Sequence, residues 1–404
     1  MDEFLTLTKA ERIFYKSVAV IFIVFVFLET VLRLSFNLFP VHIRAELHQV
    51  RLVPWMSRPI VSNVAKAIYD YPYNAIPYSP DGIIQIRVLP ELQDHEVYWG
   101  DAHFRVNTVR IWDTHFAGFR SAPARYPLDV MTFGDGFTFC WTEYADCWVT
   151  QLAERYGNWF NAATPGTGTA GQFALMQQIV PPTKPRLVIW TWYADDLRDS
   201  YRYDIIKTGA APFAYYLPLI NPSTKPLNAS AMFMTVRLVE LALGLNHDPN
   251  RVNYEVARVN NHNTRVATPE RPHPAALSWG ANRYGLYRAQ EMFDQARRFL
   301  REQVGAELLI VLIPTKEEVY GDALRARFGA AYVEAAGEAR RALVEYLEAN
   351  GFKFVDALPA LQAAAQKGEV PYYSMSEFLN ASGNKVLAQA VAEQLDREQL
   401  LAAR

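Results

Sequence analysis

The stretch Phe133-Gly134-Asp135-Gly136-Phe137-Thr138-Phe139-Cys140 decides the fold of this chain. Before it, residues 128–132 form a short apolar run of strand-forming residues, which predicts a buried strand. After it, residues 141–156 carry apolar side chains at helical spacing, which predicts a helix. A strand, a sharp glycine turn and a helix are the arrangement in which α/β enzymes present a nucleophile at the carboxyl end of a strand. The residue in the nucleophile position is Gly136, which has no side chain.

Further apolar runs predict four more strands, at residues 159–163, 186–192, 307–313 and 352–355. Helical patterns lie between and after them, at residues 172–179, 287–304, 322–350 and 382–404. Alternation of strands and helices, with continuously apolar strands, favours a parallel sheet covered on both faces. Residues 200–283 break the alternation with a predicted helix at 229–243 and a polar stretch at 246–274. We interpret them as an insertion after the third strand, at the carboxyl edge where ligands and partners bind.

The composition is that of a folded protein without a nucleic-acid partner. Of the 404 residues, 50% are hydrophobic and 20% charged, and the formal net charge is -2. A chain of this kind has a core to bury and no basic field that would attract nucleic acid.

The chain has two cysteines, Cys140 and Cys147. If both lie on the helix after the turn, they are about 10 Å apart along its axis, too far for a disulfide. We therefore expect two small buried side chains rather than a disulfide or a metal site. No CxxC pair, HExxH motif or Walker loop occurs, and we expect neither a metal nor a cofactor.

Residues 17–39 are the candidate transmembrane helix, about 34 Å long against about 30 Å of bilayer hydrocarbon. Glu29 and Arg33 interrupt it, four residues apart in the order that favours an ion pair. No cleavage site of small residues follows, so we predict an uncleaved anchor rather than a signal peptide. Residues 1–16 are interpreted as a cytoplasmic tail, residues 40–125 as an aromatic-rich juxtamembrane segment packing on the main domain, and 126–404 as that domain. Positive charges balance across the helix, so charge does not decide the orientation.

The motifs at the strand ends, taken in order, resemble those of the SGNH/GDSL hydrolase family. They are most similar to its membrane-anchored, O-acetyltransferase-like bacterial branch, which also has the features seen here at Gly118-Phe119-Arg120 and at Glu29 with Arg33. The resemblance covers roughly residues 118–395 apart from the insertion. It implies a three-layer α/β/α, flavodoxin-like parallel sheet, and a single-pass protein of the bacterial inner membrane with its large domain in the periplasm.

The same resemblance identifies a vestigial site. The family's first motif ends in a serine nucleophile, where this chain has Asp135 followed by Gly136. Its second motif supplies a glycine amide to the oxyanion hole, and Gly166 fits that place. Its third motif supplies an asparagine donor followed by aspartate, where this chain has Asp195 and Asp196.

The fourth motif of the family supplies an aspartate and a histidine. Here Phe378 stands in the histidine position, and the aspartate position falls at Met375 or Ser376. Without a hydroxyl at position 136 no acyl-serine can form, and without an imidazole at position 378 no side chain there can relay a proton. An ionised Asp195 would repel a developing oxyanion. We therefore expect a pseudoenzyme.

Weaker signals point to other chemistry, and each has an ordinary structural explanation. Residues 166–171 match a dinucleotide-binding pattern, but a glycine turn is expected there anyway. Asp135, Asp195 and Asp196 together are a weak cation site. The remaining candidates are a replacement nucleophile, two upstream histidines and a lysine after the fourth strand: Thr138, His103, His115 and Lys316.

Three functions follow as hypotheses. The first is an accessory or scaffolding subunit that contacts the bilayer and other integral membrane subunits of a complex, through the juxtamembrane segment and the insertion. The second is an esterase or O-acetyltransferase acting on cell-envelope polysaccharide with a remodelled site. The third is a non-catalytic protein with a glycan ligand.

Overall fold

The computed structural model describes residues 8–35, 88, 90–99, 101–111, 118–207, 233–243, 254–269 and 273–401. The chain divides into two compact units, and each is described by itself. The smaller unit comprises parts of Met1–Asn63 and Lys225–Val252, and the larger unit parts of Val64–Thr224 and Asn253–Arg404.

The strands of the larger unit are β1 (His95–Trp99), β2 (Ala102–Val106), β3 (Val130–Phe133), β4 (Trp159–Asn161), β5 (Leu187–Trp192), β6 (Tyr254–Val259), β7 (His262–Ala267), β8 (Glu307–Leu312) and β9 (Phe354–Asp356).

The helices of the two units are α1 (Lys9–Leu34), α2 (Gly136–Phe139), α3 (Trp148–Tyr156), α4 (Thr169–Thr183), α5 (Asp196–Lys207), α6 (Met234–Ala242), α7 (Gly280–Phe299), α8 (Lys316–Val319), α9 (Gly321–Phe328), α10 (Ala330–Ala349), α11 (Leu358–Gln366) and α12 (Ala381–Arg397).

The central sheet has five strands in the order β4-β3-β5-β8-β9, and every pairing is parallel. The strand of this sheet that comes first in the chain, β3, therefore lies second in the sheet, which is the flavodoxin-like order. All five predicted strands are present, with ends shifted by up to two residues. The predicted α/β class and its parallel sheet are confirmed.

Two apolar clusters cover the two faces of this sheet. On β8, Leu308, Ile310 and Leu312 belong to one cluster, while Leu309 and Val311 belong to the other. Helices α4 and α7 contribute side chains to the first cluster, and α3 and α12 to the second. This alternation is the pattern of a strand buried on both faces, so the layers are helix, sheet, helix.

In the smaller unit, α1 begins at Lys9, inside the stretch interpreted as a tail, and ends at Leu34. Its part Glu11–Leu34 is long and apolar enough to cross a membrane. Residues 36–39 of the predicted span lie outside the described residues. Helix α6 falls within the helix predicted at 229–243.

The predicted helix over residues 141–156 is wrong in its first half, and so is the expectation about the cysteines. Helix α2 ends at Cys140, which has a φ of 64°, and α3 begins only at Trp148. The segment between them is a loop, so the two cysteine Cα atoms are 5.5 Å apart and the sulfurs form a disulfide. The distance expected from helical spacing does not apply because no continuous helix joins the two residues.

Other boundaries also differ. The predicted helix at 322–350 is two helices, broken at Gly329, which has a φ of 90°. The helix predicted to reach residue 404 ends at Arg397. The antiparallel hairpins β1–β2 and β6–β7 were not predicted. For β6–β7 a signal existed, because the turn residues Asn260 and Asn261 both have positive φ and asparagine favours such two-residue turns.

Candidate functional site

The turn after β3 is shaped by close packing at Gly134. A Cβ placed on Gly134 would lie 1.9 Å from Oγ1 of Thr191 and 2.3 Å from Oγ1 of Thr138. Those two hydroxyls are hydrogen-bonded to each other. The next residue, Asp135, caps α2 by accepting a 3.0 Å hydrogen bond from the Phe137 amide. The two residues that match the family motif therefore hold the turn in shape.

Aromatic rings fill the space beside Gly136. A Cβ on Gly136 would lie 2.4 Å from Nε1 of Trp141 and 2.6 Å from Cε1 of Phe378. Real Cβ atoms essentially never approach other atoms so closely, so neither a serine nor an alanine fits unless a ring moves. We call the four rings of Phe137, Trp141, Tyr193 and Phe378 the aromatic plug.

The rings of the plug contact one another directly. The Trp141 and Phe378 rings stack with centroids 4.7 Å apart, and Phe137 lies 5.0 Å from Phe378 and 4.2 Å from Tyr193. Such pairs add to the stability that burial of the rings already provides. The positions that the resemblance assigns to a nucleophile and its base thus hold packed apolar surface.

Arg120 positions the loop that carries Trp141. Its guanidinium is buried and donates to the carbonyls of Phe139 at 3.2 Å and Thr142 at 2.6 Å, and to that of Arg105 at 3.2 Å. Burial lowers the pKa of Arg120 to about 10, and the charge of Glu143 opposes that effect. The Gly-Phe-Arg segment thereby joins β2 to the turn and to the loop after α2.

The loop before α12 holds Phe378 in place. The amide of Phe378 donates to Oγ of Ser376 at 3.3 Å, and its carbonyl accepts from the Tyr373 amide at 3.0 Å. The Met375 amide donates to Oδ1 of Asp101, which lies between β1 and β2, at 2.9 Å. The two residues at the predicted aspartate position therefore have structural contacts beside the plug.

Lys316 also contacts the loop before α12. Its Nζ donates to the carbonyls of Tyr373 and Ser376, each at 2.6 Å. Burial lowers its pKa to about 8, and the charges of Glu317 and Glu377 oppose that effect. Lys316 therefore holds the loop before α12 in position.

Asp135, Asp195 and Asp196, considered above as a weak cation site, each have their own hydrogen-bond or ion-pair partners. Asp195 pairs with Arg198, and Asp196 accepts from the Tyr193 amide at 3.1 Å and from Gln172 Nε2 at 3.0 Å. Burial raises the pKa of Asp135 to about 7, and nearby negative charge raises it further. Burial, followed by the charge of Asp135, also raises the pKa of Asp196 well above its ordinary value. Among the described residues, no group of three or more His, Cys, Asp or Glu side chains is arranged to hold a metal ion.

The glycine pattern at 166–171 serves helix packing. Gly166 is exposed and has a φ of 69°. A Cβ on Gly168 would lie 2.2 Å from the Ser200 amide nitrogen, so α4 and α5 meet there through backbone. Gly168 therefore lies at a close helix contact, which leaves no open cradle for phosphates there.

The two other predicted candidates that the structure describes, Thr138 and His103, are not part of the plug. Thr138 is fully buried, with its hydroxyl bonded to that of Thr191. His103 is exposed on β2. His115 lies outside the described residues.

A cavity of about 60 Å³ beside the plug was missed by sequence reasoning. Its lining includes Tyr193, Asp195, Arg265, His273, Glu317 and Glu377. The only signal was that Glu317 follows a predicted strand. His273 follows the insertion hairpin, 44 residues earlier, and no sequence pattern connects the two.

Within this cavity, His273 and Glu317 form a buried pair. Nδ1 of His273 accepts from the Ala275 amide at 3.1 Å, and its Nε2 lies 3.6 Å from Oε2 of Glu317. Although burial alone raises the pKa of Glu317, the hydrogen bond and charge of His273 and the Ala267 amide lower it to about 2. Nδ1 is occupied as an acceptor and Nε2 faces Glu317, so the ring leaves no free lone pair for a base in the cavity.

Residues 280–404 match a family model described as the SGNH hydrolase-like domain of acetyltransferase AlgX. Residues 280–404 therefore carry an SGNH hydrolase-like sequence. The resemblance seen in the strand-end motifs is thereby confirmed. No curated protein matches the sequence significantly.

Several solved structures are similar to the SGNH-like chain. One is a lipolytic protein of the G-D-S-L family from Veillonella parvula, with 12% identity, a TM-score of 0.37, and coverage of 67% of this chain and 99% of that one. Another is a catalytic mutant of an acetylxylan esterase from Geobacillus stearothermophilus, with 12% identity, a TM-score of 0.37, and coverage of 70% and 99%. With identities and TM-scores this low, neither similarity extends to function.

Proposed function

We propose that this chain is a membrane-anchored SGNH-like pseudoenzyme that acts by contact, as an accessory or scaffolding subunit of a membrane protein complex. One observation carries the proposal: Phe378 and Trp141 occupy the space that a side chain at position 136 would need. A nucleophile, a base and an oxyanion donor are all replaced, and the replacements pack into a stable apolar cluster. A fold that is retained without its catalytic groups is retained for the contacts that its surface makes.

The disulfide supports an extracytoplasmic location for the SGNH-like domain. Structural disulfides form and persist in oxidising compartments such as the bacterial periplasm and are rare in the cytosol. Cys140 and Cys147 are both buried and joined beside the plug. This placement matches a single-pass protein of the bacterial inner membrane with the domain in the periplasm.

Contacts of α1 support an uncleaved anchor. Glu29 in α1 accepts hydrogen bonds from Met234 and Thr235 in α6. A leader that is removed after export would have no lasting contact with the remainder of its chain. The helix is therefore interpreted as a permanent part of the protein.

The enzyme hypothesis retains one favourable observation, the cavity that holds His273 and Glu317. A remodelled esterase or O-acetyltransferase would need both of these side chains. The two readings are separated by measuring hydrolysis of an activated acyl ester by the full chain purified in mild detergent. We expect the folded chain to hydrolyse the ester no faster than heat-denatured protein does. H273A and E317Q should have the same rate. A higher rate that either substitution abolishes would establish the enzyme and end the proposal.

The contact role is tested by purification of the tagged full chain from its native membrane in mild detergent. We expect integral membrane proteins to co-purify in a fixed ratio. Recovery of the chain alone would contradict the subunit role, and binding to an envelope glycan without turnover would instead support the glycan-binding hypothesis.

A further inference from the structure

Two charged residues near the carboxyl end of α1 are buried. Glu29 and Arg33 are each 5% exposed, and Nη2 of Arg33 lies 2.6 Å from Oε1 of Glu29. Burial of an ion pair removes hydration that the attraction between the charges only partly replaces. The carboxylate therefore needs further hydrogen-bond donors.

Helix α6 supplies those donors. Oε1 of Glu29 accepts from the Met234 amide at 2.9 Å, and Oε2 accepts from the amide and the hydroxyl of Thr235 at 3.0 and 2.8 Å. Met234 and Thr235 begin α6, and amides in the first turn of a helix have no partner within it. The carboxylate thus caps the positive end of α6. The rings of Phe25 and Phe233, 5.1 Å apart, extend the contact.

This reciprocal arrangement is suited to a medium with little water, such as the acyl side of the lipid interface. In water, solvent would satisfy both the carboxylate and the helix amides, and their contact would stabilise little. In hydrocarbon, each unsatisfied polar group costs several kcal/mol, so a shared contact that satisfies all of them is strongly favoured.

The surface and length of α6 fit the boundary of a bilayer. Val239 in α6 and Leu243, directly after its last residue, are 52% and 66% exposed. The helix has 9 residues, which gives about 14 Å at 1.5 Å per residue. That length is too short to cross about 30 Å of hydrocarbon. A short helix with exposed apolar side chains, joined to a membrane span, matches an element that lies in the interface.

We propose that α6 is a second membrane-contacting element, which lies in the lipid interface against α1 with its amino terminus capped by Glu29. The inference rests on the proposed role of α1 as an anchor. Its partner is the lipid of the bilayer itself.

Quenching by brominated lipids tests the depth of α6. Both native cysteines are in the disulfide, so a single introduced cysteine in the full chain is the one free thiol to label. In vesicles, the extent of quenching of a fluorophore on V239C should be within about twofold of that on F22C. The reason is that an interfacial helix lies about 5–10 Å into the headgroup–acyl boundary. Quenching at position 22 alone would overturn the inference while the anchor stands. Quenching at neither position would overturn the anchor and with it the inference.

Disulfide cross-linking in membranes tests the cap. F25C/F233C should cross-link rapidly, and F27C/F233C, on the other face of α1, should not. E29A should slow the first cross-link about tenfold, because it removes the three charge-assisted hydrogen bonds that join α1 to α6. T235V should slow it less, and T235S should leave it unchanged. Equal cross-linking from positions 25 and 27 would refute the contact.

Discussion

In the proposed pseudoenzyme, Gly136 is the residue at which the fold is retained and the usual chemistry of SGNH hydrolases is lost. The sequence has no hydroxyl at position 136 and no imidazole at position 378. It did not predict that Phe378 and Trp141 would fill the space, because residues 136, 141 and 378 are brought together only by the tertiary fold. Packing of this kind has no sequence periodicity from which it could be predicted.

Substitution of Gly136 by alanine tests how tightly the plug is packed. Since the new Cβ would lie 2.4 Å from Trp141 and 2.6 Å from Phe378, we expect G136A to lower the unfolding free energy by about 1–3 kcal/mol. In an F378A background the loss should be smaller, because one of the two colliding rings is gone.

Urea unfolding of the full chain in detergent measures the effect at position 136. G280A is the matched control, because the nearest atom to a Cβ there is Arg283 Nη2 at 4.0 Å. Equal stability of G136A and the wild type would show that the plug is loose.

Asp135 makes the stability of the SGNH-like domain dependent on pH. Its pKa rises from an ordinary 3.8 to about 7 in the folded state, so the folded state binds a proton that the unfolded state has released. Stability is then fully present below about pH 4 and falls as the pH rises towards 7. D135N, which keeps a side-chain oxygen for the Phe137 amide, should flatten that decline.

Thermal unfolding between pH 4 and 7 measures the contribution of Asp135. D322N, at a side chain that is 79% exposed, is the control. An unchanged pH profile in D135N would assign the decline to other groups.

At the scale of elements, continuous apolar runs predicted the five strands well, because strands that are buried on both faces consist mainly of apolar residues. The loop between α2 and α3 was not predicted, since Tyr144, Cys147 and Trp148 are spaced as in a helix. The break comes from the left-handed backbone at Cys140 and from the carbonyl contacts of Arg120, which act across the tertiary structure.

The disulfide that closes this loop should stabilise the domain. Its cysteines are separated by 7 positions in the sequence, and closing so short a loop contributes about 2–3 kcal/mol by the chain-entropy account. We expect the unfolding free energy of C140S/C147S, measured with urea, to be lower by that amount. Reductant should lower the unfolding free energy of the wild type and leave that of C140S/C147S unchanged. Alkylation of free thiols in unreduced protein from native membranes would show instead that the cysteines are not paired.

At the scale of the whole molecule, the sequence predicted an anchor, a parallel α/β domain and an insertion. It could not decide orientation, because the positive charges balance across α1. Nor could it predict that Glu29 would contact the insertion, because these residues lie about two hundred positions apart. The disulfide and the α1–α6 contact supply the arguments for location that charge did not.

The central claim is that the SGNH-like body carries no group able to form an acyl or phosphonyl ester. Intact mass spectrometry of the full chain after exposure to a fluorophosphonate, which labels activated hydroxyl nucleophiles, tests it most directly. We predict no adduct on the folded wild type or on G136S, since in the described part of the chain the atoms nearest to a Cβ at position 136 belong to Trp141 and Phe378 and not to a base. A stoichiometric adduct on the folded wild type that is absent after heat denaturation, at Thr138, Ser376 or any other hydroxyl, would contradict the claim.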